Sequence, residues 1–103
     1  AADTLADGLA CRTPDPVAVE VVNNGAERIV KVGEDEILAA MEHYFTDTHN
    51  VAEGAGAAPL AALLGERDMM AGKKIGLILT GGNADKALFS KALGQGRELP
   101  GVL

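Results

Sequence analysis

Tyr44, Phe45 and Phe89 are the only aromatic rings in 103 residues, and there is no tryptophan. This scarcity of large core-filling side chains most limits what the chain can fold into. Hydrophobic residues make up 48% of the sequence, but alanine supplies much of that share and 13 glycines stand beside it. Burial of apolar surface is worth roughly 25 cal/mol per Å², so small side chains each contribute little. A chain built this way is either a weakly held small globule or one part of a larger packed body.

Composition narrows the class further. The length admits one domain, near the lower end of the usual ~100–150 residues. A formal charge of −6 argues against broad binding to a phosphate backbone, which needs a dense Lys/Arg surface. The single cysteine, Cys11, rules out an internal disulfide framework and fits a reducing, cytoplasmic setting. No apolar run reaches the ~18 residues of a membrane span. The stretch from Ala1 to Leu9 is neither basic nor apolar enough for a signal peptide.

Along the chain, helical and extended signals alternate, which predicts an α/β fold. Asp7-Gly8 is a turn signal. Thr13-Pro14 reads as a helix entry, with Thr13 capping and Pro14 in the first turn. The β-branched run Val17–Val22 leaves strand open as an alternative until Asn23-Asn24-Gly25 ends the element. Strands are expected near 28–32 and 75–80. The second, Ile75–Leu79, is apolar enough for burial on both faces. The best helix opens at Gly33-Glu34-Asp35-Glu36. It places Ile37, Leu38, Met41, Tyr44, Phe45 and Thr48 on one face and Glu42, His43 and Asp47 opposite. Its acidic first turn reads as solvated, and His49-Asn50 breaks it. A further helix holds Pro59, which is harmless only in a first turn, so that helix should begin no earlier than about Ala55. Residues 66–74 read as a charged connector, 85–93 as a short helix and 94–103 as a tail.

Three constellations are candidates to carry chemistry. Ile75–Leu79 runs into Thr80-Gly81-Gly82-Asn83. Ligands of open α/β sheets bind beyond the carboxyl ends of strands, and paired glycines let a flat or charged group approach the backbone. The plainer reading is a strand and an ordinary turn. Glu53-Gly54-Ala55-Gly56-Ala57-Ala58 sets a carboxylate before a helix start nearly free of side chains, a surface for a planar ligand or simply tight packing. Asp7, Gly8 and Cys11 form the third, although a lone cysteine more often packs as a small hydrophobe than reacts. His43 and His49 lie six apart, which is not a helix-face ligand pair, and no metal site is expected.

In order and spacing these segments resemble the C-terminal part of the serine/threonine dehydratase family, pyridoxal-phosphate enzymes of fold type II. The matching pieces are Thr4–Ala10 with Thr13-Pro14, Val30–Val32 with Glu34–Ile37, Glu53–Ala58 with Leu60–Leu63, and Lys73-Lys74 leading to Thr80-Gly81-Gly82-Asn83. They run from about Ala2 to Asp85. Cys11 and Pro59 depart from the family pattern and leave the substrate open.

The resemblance implies pyridoxal 5'-phosphate as cofactor. Thr80 would bond the ring nitrogen. A hydroxyl there does not force that nitrogen to stay protonated, so the ring is a weaker electron sink, which suits elimination. Gly81, Gly82 and Asn83 would shape the same wall, Glu53 and Gly54 would pack beside the ring, and Asp7, Gly8 and Cys11 would border a hydroxy amino-acid substrate. None of Lys31, Lys73, Lys74, Lys86 and Lys91 sits in the family's Ser-x-Lys-x-Arg-Gly context. The glycine-rich phosphate loop is likewise absent from the chain.

Residues 1–103 are therefore expected to be the C-terminal part of one catalytic domain, inactive alone and partnered by the N-terminal remainder of the same enzyme. With 20 residues after Asn83, no appended regulatory domain is expected. The expected activity is dehydration and deamination of L-threonine or L-serine in a homo-oligomer. A racemase, a dehydratase of another 3-hydroxy amino acid, or a non-catalytic α/β binding module are the alternatives.

Overall fold

Gly33 and Glu36 start the longest helix together, since Glu36 Oε1 accepts the Gly33 N–H at 2.8 Å. In the computed structural model, which describes residues 4–94, this is α2, Glu34–Thr48. Before it come a 3-10 turn, Asp7–Leu9, and helix α1, Pro16–Gly25. After it come α3 (Gly54–Gly65), α4 (Arg67–Met70) and α5 (Lys86–Leu93).

The helical form prevails in the valine-rich stretch because its ends suit a helix. Asp15 accepts the Val17 N–H at 2.8 Å and Pro16 occupies the first helical position, where its missing N–H costs nothing. The cap thus lies two residues beyond the expected Thr13. No residue of α1 is buried. At the other end of α2, His49 takes the left-handed conformation (φ 60°) and its N–H returns to the Phe45 carbonyl at 3.1 Å.

The core is small-residue packing around α2. Leu38 and Met41 are its largest fully buried side chains, joined by Ile37 and by Ala6, Ala40, Ala52, Ala57, Ala61 and Ala92. Alanines at 57 and 61 let α3 approach α2 closely, while α5 packs on α2 from another side. Phe45 and Phe89 meet edge to face with ring centroids 5.5 Å apart. Cover from two helices widens the buried arc of α2. Glu42, expected on a solvated face, is therefore buried.

The two expected strands are not formed: among the described residues none is in a β-ladder. Residues 28–32 and 75–80 lie along α3 without pairing, because a strand exists only against a neighbour. Nor is 75–79 buried on both faces, since Ile78 is 76% exposed while Leu79 packs on the core. Arg28 ties the first segment to the end of α3 through both oxygens of Glu66 at 2.5 and 2.8 Å. Helix α3 begins at Gly54, one residue earlier than expected, so Pro59 is its sixth residue and cannot donate to the Ala55 carbonyl. No helix among the described residues is long and apolar enough to cross a membrane.

Candidate functional site

The three candidate segments converge at the N-terminus of α3. Glu53 caps this helix, its carbonyl accepting the Ala57 N–H at 2.9 Å. Its own N–H donates to the Gly81 carbonyl at 3.1 Å, which fastens the 80–83 turn beside the helix start. Gly54 lies against Ala6: a Cβ there would sit 2.9 Å from the Ala6 Cα. Gly8 meets Ala55, and Gly56 meets the Gly81 carbonyl, where a Cβ would stand 2.7 Å away. At Gly54 and Gly56 it is backbone that comes this close, and at Gly8 it is the Ala55 Cβ.

The convergence leaves a cleft of about 200 Å³. Its polar lining is Asp7, Glu53, Asn83 and Asp85, with Leu5 and Leu88 supplying apolar wall. Asp85 is fixed because it also caps α5, accepting the Leu88 N–H at 2.7 Å. Thr80 stands exposed just before the Gly81-Gly82 backbone, and its hydroxyl makes no hydrogen bond within the protein among the described residues. The Glu53 carboxylate is half-buried and points at Gly81, whose Cβ would meet Glu53 Oε1 at 2.5 Å.

Of the residues singled out from the sequence, Asp7, Gly8, Glu53, Gly54, Gly81, Gly82 and Asn83 are gathered here. Cys11 is not. It is exposed beyond the 3-10 turn and its thiol donates to the Thr13 carbonyl at 3.5 Å. Sequence reasoning did not place Asp85 in the lining, although its N-cap position before Lys86–Leu93 was the available signal. The acidic first turn of α2 is exposed, as expected, and its hydrogen bonds are the part the sequence did not show. Glu34 accepts a hydrogen bond from the Thr4 hydroxyl through Oε1 and one from the Leu5 N–H through Oε2, the latter at 2.9 Å. These donors hold its carboxyl below the usual carboxylate range. No group of three or more His, Cys, Asp or Glu arranged to hold a metal occurs among the described residues.

A larger concavity, about 720 Å³, opens on another side of α3. Ile29, Val30, Val32, Ala58, Pro59 and Ala62 make it mainly apolar. It lacks the convergent carboxylates and amide of the small cleft.

Residues 1–81 match the family model described as "Pyridoxal-phosphate dependent enzyme". An L-threonine ammonia-lyase of Thermotoga maritima is 37% identical over 93 residues, 90% of this chain and 23% of the relative. A phenylserine dehydratase of Ralstonia pickettii is 36% identical over 94 residues, 90% of this chain and 29% of the relative. The crystal structure of serine racemase from Dictyostelium discoideum superposes with a TM-score of 0.73 at 33% identity, covering 81% of this chain and 28% of that one. The chain thus spans about a quarter of the length of the relatives it matches.

Proposed function

Because the chain belongs to the family of pyridoxal-phosphate dependent enzymes, we propose that it forms one wall of the cofactor site of an enzyme that dehydrates and deaminates L-threonine or L-serine. The observation that carries this reading is the meeting of segments 6–8, 53–56 and 80–83 at the start of α3.

The residues present fit the cofactor. Thr80 offers an unengaged hydroxyl at the edge of a glycine-lined backbone, which suits the rim of a flat heteroaromatic ring. When bound, pyridoxal phosphate supplies an electron sink for the bonds at the substrate α-carbon. In this reading Thr80 bonds the ring nitrogen without fixing a proton on it, and Gly81, Gly82 and Asn83 shape the wall around it. Glu53, held through its backbone by Gly81, stands beside the ring, and Gly54 lets Ala6 seat closely on α3. Asp7 and Gly8 border the substrate. Cys11 is left as an outer substrate-side residue, consistent with its exposed place beyond the turn.

Among the described residues no lysine lines the cleft. The lysine that carries the cofactor is proposed to come from the remainder of the same enzyme, which also covers the apolar trough on α3. Residues 1–103 then belong to one larger catalytic domain, in which segments 28–32 and 75–80 gain the strand neighbours they lack. Racemisation, or dehydration of another 3-hydroxy amino acid, is the second reading. It is favoured by the similarity to a serine racemase and a phenylserine dehydratase.

The test is a product assay on the complete protein with threonine, serine, phenylserine and D-serine. Release of 2-oxo acid and ammonia from threonine or serine, with visible cofactor absorbance that borohydride fixes to the protein, is expected. Absence of that absorbance in the purified protein overturns the cofactor reading. D-serine formation without ammonia replaces the lyase with the racemase.

A further inference from the structure

We infer that Glu34, outside the cleft, is a positioning residue that sets the Asp7-Gly8 segment against α3. This inference rests on the proposed role of Asp7 at the substrate side. Glu34 is the first residue of α2, and its two carboxylate oxygens take different donors from one short strap. Oε1 accepts the Thr4 hydroxyl and Oε2 accepts the Leu5 N–H at 2.9 Å. The Thr4 oxygen in turn accepts the Ala6 N–H at 3.1 Å. A single carboxylate thereby orders three consecutive residues, 4 to 6.

What the strap orders is next to the cleft. Ala6 is fully buried, and its Cα would stand 2.9 Å from a Cβ on Gly54. The Ala6 carbonyl accepts the Leu9 N–H at 2.8 Å, which closes the 3-10 turn carrying Asp7 and Gly8. Leu5 and Asp7 themselves line the cleft. The path from Glu34 to Asp7 is therefore continuous: carboxylate, Thr4 and Leu5, Ala6 on Gly54, then the turn. A lone solvated acid at a helix start needs no such partners, because the dipole of the helix favours it anywhere in the first turn. Asp35 and Glu36 share that turn, and Lys91 of α5 adds a favourable charge.

Hydrogen bonds to a charged group are the stronger kind, and glutamine puts an oxygen at only one of the two carboxylate positions and an N–H₂ donor at the other, so at most one of the two bonds keeps its present acceptor and neither stays charge-assisted. In the complete protein, Glu34→Gln is expected to raise the KM for the hydroxy amino acid about tenfold while kcat stays within about twofold. The visible cofactor absorbance is expected to be unchanged. Amide exchange at Leu5 and Ala6 should speed up about tenfold or more, a readout independent of turnover. Thr4→Val should reproduce the KM change and Thr4→Ser should not, and the Glu34→Gln/Thr4→Val double variant should exceed neither single change by much. A KM within twofold of the parent in both Glu34→Gln and Thr4→Val, with cofactor absorbance present, overturns the positioning role. A protein lacking cofactor absorbance before any substitution overturns the proposed function instead.

Discussion

Glu53 and Gly81 hold one another twice. The Glu53 N–H donates to the Gly81 carbonyl at 3.1 Å, and the Glu53 carboxylate occupies the space a Gly81 side chain would need. That makes the glycine pair of the 80–83 turn separable by substitution. Gly81→Ala meets only the far end of a flexible side chain, so Glu53 swings aside and stability changes by less than about 1 kcal/mol. Gly82→Ala meets the Val51 carbonyl, which is backbone and cannot yield, and destabilises by about 1–3 kcal/mol. Misplacement of a group by about 1 Å costs up to about 100-fold in rate, so Gly81→Ala is expected to lower turnover between about 10- and 100-fold despite its mild effect on folding. Denaturant midpoints and turnover measured on both variants check the contrast.

Thr80 separates function from folding more cleanly still. Its side chain is exposed and makes no bond within the described residues, so Thr80→Ala should move stability by no more than about 0.5 kcal/mol. If its hydroxyl bonds the cofactor ring, the loss of one neutral hydrogen bond lowers the elimination rate about 3- to 10-fold. Thr80→Ser should restore the rate. An unaltered rate in Thr80→Ala removes Thr80 from the site.

Acid should loosen the chain at two places. The Arg28 guanidinium holds the Glu66 carboxyl below its ordinary range, and Thr4 and Leu5 do the same for Glu34. Both groups bind protons more weakly when folded than when unfolded. Their stabilisation is therefore present above the unfolded carboxylate pKa of about 4.3 and fades as pH falls through the lower folded values. Arg28 is raised by the same pairing, but it stays charged throughout and adds nothing to this slope. Melting temperatures of the parent, Glu34→Gln and Glu66→Gln from pH 7 down to pH 2.5 should differ most at neutral pH and converge in acid. A gap that persists at the lowest pH contradicts the assignment.

Local signals marked the candidate segments, and the departures came from long-range packing. The glycines at 54, 56, 81 and 82 stood out in the sequence, and in the fold Gly54, Gly56 and Gly82 meet backbone while Gly81 meets the Glu53 carboxylate. The core face Ile37-Leu38-Met41 followed from helical spacing, whereas Glu42 did not, because cover by α5 on a second side of α2 depends on tertiary packing. The strap from Thr4 to Glu34 spans 30 positions, and no local pattern links a threonine to an acid so far away. The missing strands are a different matter. Ile29 and Ile78 have the right composition for a sheet, but a ladder needs neighbours that the described residues do not contain.

Ile29 in the trough and Ile78 in the 75–80 segment give the proposed cover of α3 its own test. Ile29 is 75% exposed and Ile78 76%, and with Val30 and Ile75 they leave apolar edges on two sides of α3. Exposed edges and patches of this kind drive association. Residues 1–103 expressed alone should therefore scatter light in a concentration-dependent way and bind an apolar dye, and Ile29→Lys or Ile78→Lys should reduce both signals. In the complete protein the sign reverses. If the remainder of the enzyme covers these positions, each lysine is buried without a partner and destabilises by about 3 kcal/mol or more. A neutral effect of both lysines on the melting of the complete protein would show that segments 28–32 and 75–80 remain open to solvent there, and the proposed cover of α3 would fall.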